Sequence, residues 1–220
     1  MTITEKIDGT NGLVHVERHP WGYAAGFDFN PDTAGIFVVQ DLSVINEDGV
    51  PQFEWHVRPG SRNRWLTTES DNFGFAAFVR QNAAELVNLG PGNHYGEWFG
   101  KGINRGYNLN ERWFALFNVA RWFDPRWEYA EPYREWFPKA QPAPNCITVV
   151  PVIRANVPGD RMTEDVRGAL DTLSVVGSFA VPTFKNPEGV VAYHDGARQL
   201  FKAFPAGYDQ PKSARQSVGT

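Results

Sequence analysis

The stretch Glu5-Lys6-Ile7-Asp8-Gly9-Thr10-Asn11 sets a lysine between an acidic residue and a glycine turn. That setting suits a covalent lysine nucleophile. The amine must meet an electrophile without its extra proton, and a nearby cation or metal together with partial burial favours that form. The same string also suits a solvated hairpin turn, so the rest of the chain decides between the two.

Working outward, Leu13-Val-His-Val-Glu17 alternates, Gly35-Ile-Phe-Val-Val-Gln40 starts after a turn, and Asn46-Glu-Asp-Gly49 is a hairpin-type break. The spacing of Phe75, Phe78, Val79, Ala83 and Leu86 predicts a helix, with Asp71 as its N-cap and Gly90-Pro91 as its stop. Strand character returns over 94–99 and 112–119. The aromatic segment Trp122–Phe137 is broken by Pro125 and Pro132 and reads as irregular or short helix. Cys146-Ile-Thr-Val-Val-Pro-Val-Ile153 reads as one buried strand. Thr163 is placed to cap a helix carrying Val166, Leu170 and Leu173 and ending at Gly177, and the segments 190–193 and 200–204 are the last strands.

At 220 residues the chain has room for one domain with a full core. Hydrophobic residues at 42% and charged residues at 21% exclude a disordered chain. With 16 Phe, 8 Trp, 7 Tyr, 21 Gly and 16 Pro, short twisted strands and tight turns are favoured over a helix bundle. Together these features predict one α+β domain. The single cysteine, Cys146, excludes an intramolecular disulfide, and no Cys/His cluster has zinc-ligand spacing. No apolar run reaches membrane-spanning length, and the N-terminus lacks a signal-peptide core, so an intracellular, cytoplasmic protein with no membrane partner is expected.

Several chemistries are excluded by their missing motifs. Gly100-Lys-Gly-Ile-Asn-Arg-Gly106 is spaced too widely for a dinucleotide fingerprint, and there is neither a phosphate loop ending in Gly-Lys-Ser/Thr nor a nucleophile elbow. His15, His19, His56, His94 and His194 show no metal-ligand spacing and read as structural or surface groups.

Beyond Lys6-Ile-Asp-Gly9 the chain runs in order through Ser61-Arg-Asn-Arg64, Tyr95-Gly-Glu-Trp-Phe-Gly-Lys-Gly102, Trp113-Phe-Ala-Leu-Phe-Asn-Val119, Pro187-Glu-Gly-Val-Val191 and Leu200-Phe-Lys-Ala-Phe204. This ordered series resembles the covalent nucleotidyltransferases, the superfamily of ATP-dependent RNA and DNA ligases and mRNA capping enzymes. The Gly-Glu-x-x-Gly-x-Gly-Ile form is most similar to the RNA ligase 2-like branch, which includes phage enzymes. The resemblance spans residues 5 to about 204.

The resemblance implies an adenylation domain over 1–205 with twisted antiparallel sheets flanked by helices, a nucleotide pocket between them, and a short polar tail over 206–220 in place of an appended C-terminal domain. Lys6 would take AMP from ATP as a lysyl phosphoramidate, with Mg²⁺ as the usual metal and Mn²⁺ as a substitute. AMP would pass to a 5′-phosphate, and a 3′-hydroxyl would seal the strand. The partner would be RNA, as nicked duplex or single-stranded ends, with DNA as an alternative. By the same carry-over Asp8 and Gly9 complete the turn that presents Lys6. Glu5 and Ile7 adjoin the adenine edge, and Asn11 adjoins the nucleotide sugar or a metal-bound water.

Arg62 would contact phosphate or the strand end, where its planar fork fits better than a lysine, with Arg64 as the fallback. Glu97 would accept from ribose hydroxyls and adjoin the metal, and Phe117 would stack on the base. Glu188 would bind the divalent ion, and Lys202 would hold the α-phosphate. Catalysis would thus fall to Lys6, Glu188 and Lys202. The chain departs from the family pattern at Asn118, where an Asp is usual, and at Phe204, where a second lysine is usual, with Lys212 as a substitute cation. The stretch between Asn11 and Ser61 is also longer than the pattern, as an enlarged hairpin would be. A DNA ligase, a capping-type nucleotidyltransferase and a catalytically idle nucleotide- or RNA-binding module remain as alternatives. The formal net charge of −4 does not advertise a polyanion partner. The densest basic set, Lys101, Arg105, Arg112, Arg121 and Arg126, is expected to border the substrate groove.

Overall fold

In chain order the elements are β1 (Thr2–Lys6), β2 (Thr10–Pro20), α1 (Pro31–Ala34), β3 (Phe37–Ile45), β4 (Pro51–Gly60), α2 (Phe75–Gln81), α3 (Ala83–Leu86), β5 (Gly92–Gly100), β6 (Arg112–Leu116), β7 (Trp122–Phe123), α4 (Ala130–Trp136), β8 (Gln141–Pro142), β9 (Thr148–Val149), β10 (Val152–Arg154), α5 (Met162–Val176), β11 (Gly189–His194) and β12 (Gln199–Ala203). The structure, a computed structural model, describes residues 1–24, 30–126 and 130–205. Lys212 and the tail expected over 206–220 lie outside the described residues. The chain divides into two compact units, Met1–Asp8 with Val150–Thr220, and Gly9–Val149. Strands outweigh helices in the second unit, while in the first the strands and α5 are nearly balanced, so the chain as a whole is α+β. Among the described residues no helix is long and apolar enough to cross a membrane.

The first unit is built on an antiparallel sheet of order β10-β1-β11-β12. Alternation along β1 sends Ile3 and Glu5 to one face and Thr4 and Lys6 to the other. Ile3, Val190 and Ala192 bury against Ala169 and Leu173 of α5, with Val157 completing that core. Gly177 ends α5, and its N–H donates to the Leu173 carbonyl at 2.9 Å. Thr163 does not cap this helix. It lies inside α5, whose first residue is Met162, and the position before it is Arg161 with no side-chain cap.

The second unit carries a six-stranded sheet of order β3-β4-β2-β5-β6-β9, antiparallel except for the β6–β9 pair. Val14, Val16, Val57, Trp98 and Phe114 bury one face against Phe75, Ala76 and Val79 of α2. The ring of Phe75 reaches so close to β2 that a side-chain carbon at Gly12 would lie 2.8 Å from it.

The N-cap of α2 is Gly74 and not Asp71, which lies three residues earlier and reaches the first turn from there. Its carboxylate oxygens accept the N–H groups of Ala76 at 2.7 Å and Ala77 at 3.1 Å. The expected single helix breaks at Asn82, whose φ of −108° separates α2 from α3, and Gly90 at φ 71° closes the segment.

The expected strand over 146–153 is instead divided. Thr148–Val149 pairs with β6 in the larger sheet, and Val152–Arg154 pairs with β1 in the smaller one. Pro151, which has no N–H to give a ladder, stands between the two pieces, and its carbonyl accepts from the Glu5 N–H at 2.9 Å. An apolar run signals burial, but it does not say in which sheet.

Candidate functional site

In the first unit Lys6 is the last residue of β1 and pairs in register with Gly189, the first of β11. Glu188 therefore precedes the residue opposite Lys6, and the Lys6 amine donates to its carboxylate. Both side chains are mostly shielded, at 19% and 12% exposed, so the ion pair is only lightly screened by water. The pairing Thr4↔Val191↔Lys202 places Lys202 on the sheet face that carries Thr4 and Lys6. Lys202 is exposed there. The ring of Phe204 lies with its centroid 5.9 Å from the Lys6 nitrogen, at the position where the family pattern has a second cation.

Glu5 faces the other way. Its carboxylate accepts from Ser178 Oγ at 2.6 Å, the Phe179 N–H at 2.7 Å and the Ala180 N–H at 3.0 Å, and it is 1% exposed. Burial raises its pKa from 4.5 to about 6, against the pull of those three donors. The expectation that Glu5 meets the nucleotide is therefore revised for its side chain, which is committed to the turn at 178–181. Its N–H is committed as well, to Pro151. Ile7, also expected at the nucleotide, is 4% exposed.

In the second unit Asn11 and Glu97 are directly opposed on β2 and β5 and share a face. One Glu97 oxygen accepts the Gly9 N–H at 3.0 Å, and Asn104 Nδ2 donates to the Gly9 carbonyl at 2.7 Å. This approach demands a glycine: a side-chain carbon there would lie 2.4 Å from the Trp98 carbonyl oxygen. Sequence reading missed Asn104 because nothing local announces a partner 95 residues away. Its φ of 43°, a conformation asparagine tolerates, is visible only in the fold.

Phe117 follows β6, donates its N–H to the Tyr95 carbonyl at 3.0 Å, and leaves its ring 42% exposed. Asn118 closes the next turn, its side-chain oxygen accepting the Arg121 N–H at 3.2 Å.

The two arginines of the 61–64 loop differ. Arg64 Nη1 donates to the carbonyl and hydroxyl of Ser70 at 2.8 and 2.9 Å, and its Nη2 donates to the Asp71 carbonyl at 3.3 Å. Both are exposed, and Arg64 is the one that staples the loop. The expected basic border is likewise drawn partly into structure. Arg126 binds Asp124 and the carbonyls of Asn145 and Ile147, and Arg121 donates to the Leu89 carbonyl at 2.6 Å. Lys101 and Arg112 stay exposed, with Arg112 Nε donating to the Lys101 carbonyl at 2.8 Å.

Among the described residues no group of three or more His, Cys, Asp or Glu side chains could hold a metal ion. Glu188 alone still fits magnesium, which commonly takes one or two carboxylates and completes its shell with substrate phosphates and water.

The family pattern described as RNA ligase matches residues 1–204. No curated protein matches the chain. Among solved structures it is similar to the Naegleria gruberi RNA ligase with PPi, at 17% identity and a TM-score of 0.46, covering 92% of this chain and 48% of that one. A mutant of the same ligase with ATP and Mn gives 17% identity and a TM-score of 0.46, covering 94% of this chain and 50% of that one. The chain thus spans about half the length of these ligase chains. With the match running over residues 1–204, this chain belongs to the RNA ligase family.

Proposed function

We propose that this chain carries the nucleotidyl-transfer chemistry of an ATP-dependent RNA ligase, with Lys6 as the nucleophile. The observation that carries the reading is the shielded Lys6–Glu188 ion pair, built from two motif residues at opposite ends of the sequence.

In the first step the Lys6 nitrogen bonds to the α-phosphorus of ATP, the α–β phosphoanhydride bond breaks, and pyrophosphate leaves. Lys6 must give up its proton first, and Glu188 is the group that already receives its N–H. In the second step an oxygen of an RNA 5′-phosphate attacks the same phosphorus, the N–P bond breaks, and the amine regains a proton. A 3′-hydroxyl then attacks the activated 5′-phosphate and AMP departs. The protein's share in all three steps is alignment and charge neutralisation around phosphorus.

Lys202 and Arg62 serve that neutralisation, Lys202 toward the α-phosphate and Arg62 as a bidentate fork for phosphate or the strand end. Glu97 and Asn11, opposed on one face, suit the hydroxyls of the ribose. The half-exposed ring of Phe117 suits the adenine, a contact of about 1–3 kcal/mol. A divalent ion, bound through Glu188 and phosphate oxygens, would supply charge neutralisation on the transferring group.

The test is intact mass after incubation with ATP and Mg²⁺ or Mn²⁺. A covalent AMP adduct is expected. No adduct in the unaltered protein, or an adduct that persists in Lys6→Ala, refutes the reading. Comparing nicked RNA with nicked DNA as acceptor, and GTP with ATP as donor, separates RNA ligation from DNA ligation and from capping.

A further inference from the structure

Three large rings stand along one row of the second unit's sheet, on the face turned away from α2. Gly60 of β4 pairs with Leu13 of β2, and Leu13 pairs with Tyr95 of β5. Tyr95 accepts the backbone N–H of Phe117 at one end of the row, and Trp65 bridges to Gly60 at the other. Trp65 is 41% exposed, Tyr95 49% and Phe117 42%. Rings of this size normally go to burial, so three half-open on one row mark a contact surface.

The Trp65 end of the row is held and charged. Gly60 leaves the space that the indole occupies: a side-chain carbon there would lie 3.3 Å from the Trp65 ring and 3.2 Å from Leu13. The Arg58 guanidinium lies 4.2 Å from the centre of the Trp65 ring, and the His15 ring packs at 5.6 Å. Among the described residues no hydrogen-bond partner meets the buried Arg58 Nε, and burial lowers the pKa of the group. The exposed Arg62 belongs to the same loop as Trp65. Glu97, one pleat beyond Tyr95, makes the far side of the row acidic.

We propose that Trp65 and Tyr95 are stacking positions for unpaired nucleotides of the RNA substrate, with the phosphates running on the Arg58–Arg62 side. This assignment rests on the reading of the chain as an RNA ligase, in which Phe117 is occupied by adenine. Three ladder steps separate Trp65 from Tyr95, about 14 Å at the usual strand spacing, so the two rings serve separated bases of one strand. Aromatic rings displayed on a sheet beside cations form the arrangement that single-stranded nucleic acid uses, because every base offers a π-face while the backbone needs positive charge. Charge argues for the same occupant: the exposed Arg62 in the loop that carries Trp65 offers a planar fork that a phosphate takes with two hydrogen bonds.

The experiment measures the affinity of a labelled single-stranded oligoribonucleotide by anisotropy, without ATP. Trp65→Ala and Tyr95→Ala are each expected to weaken binding about tenfold. Trp65→Phe and Tyr95→Phe should regain most of it, and Trp65→Leu and Tyr95→Leu should not. Leucine variants that bind as well as phenylalanine variants would show that the rings merely fill space and overturn the assignment. So would alanine variants that bind like the unaltered chain, or an unaltered chain that prefers a protein partner and ignores RNA. The AMP-adduct measurement on the unaltered chain keeps the two readings apart. Ring-dependent RNA binding without an adduct removes the nucleotidyl-transfer reading alone, and an adduct with ring-independent binding removes only this assignment.

Discussion

The Lys6 amine donates to the carboxylate of Glu188, a residue 182 positions away in the sequence. Sheet register brings them together: Lys6 pairs with Gly189 across β1 and β11, so residue 188 arrives beside the end of β1. Each side chain depends on the other, because a shielded charge without a partner costs more than the pair returns. Lys6→Ala and Glu188→Ala should each destabilise the fold, while the double variant should lose less than their sum, with a coupling of about 1 kcal/mol. Urea unfolding of the four proteins measures it. Additive losses would mean the ion pair contributes nothing. In the same series Lys6→Ala and Glu188→Ala should both abolish the AMP adduct.

Glu5 predicts a pH dependence of opposite sign to that of most carboxylates. Its pKa rises on folding from 4.5 to about 6 because the group is desolvated. The folded state therefore favours the protonated acid. That contribution is fully present below about pH 4.5 and is lost as pH rises through about 6, a change of about 2 kcal/mol. Glu5→Gln keeps an acceptor for the N–H groups of Phe179 and Ala180 and an amide to meet Ser178, without the buried charge. Its stability relative to the unaltered chain should improve by about 2 kcal/mol between pH 4.5 and pH 7.5. Melting curves across that range are the measurement, and a pH-independent difference would refute the account.

The alternation of Leu13-Val-His-Val-Glu17 and the turn at Asn46–Gly49 made the β2–β4 strands legible in the sequence, because period-two burial is written locally. The broken helix at Asn82 was not legible. The apolar spacing continues across it, and the break comes from backbone dihedrals. The pairing of Lys6 with Glu188 was legible only through the ordered motifs, since spacing alone says nothing across 182 residues. The commitment of Glu5 to Ser178 and the staple role of Arg64 were not legible at all. A carboxylate beside a nucleophile and an arginine in a motif loop look the same in sequence whether they face a ligand or their own backbone.

Arg62 and Arg64 should separate function from structure. Arg64 closes its loop with three hydrogen bonds to residues 70 and 71, so Arg64→Ala should lower stability by about 1–2 kcal/mol. Arg62 is exposed, and Arg62→Ala should leave the melting temperature within a degree or so while weakening ligation tenfold or more. Thermal melts paired with gel-based sealing of a nicked RNA give both numbers. If Arg62→Ala seals normally, the phosphate role assigned to it is wrong.

Gly9 should resist replacement for reasons of space rather than of backbone conformation. A side-chain carbon there would lie 2.4 Å from the Trp98 carbonyl oxygen and 2.9 Å from Glu97 Cγ and Phe99 Cβ, all on β5. Backbone cannot swing aside as a flexible side chain can, so Gly9→Ala must push β2 and β5 apart. The Glu97 and Asn104 hydrogen bonds to the Gly9 peptide would lengthen with it. The expected loss is about 2–3 kcal/mol, the upper part of the overpacking range. Gly49 is the matched control: at φ 77° in the β3–β4 turn, a side-chain carbon added to it would meet nothing within 4 Å. Gly49→Ala therefore carries only the cost of backbone conformation, about 1 kcal/mol. Urea unfolding of both variants distinguishes the two causes. If they lose equal stability, conformational preference rather than crowding against Trp98 explains the glycine, and the close approach at β5 has no energetic weight.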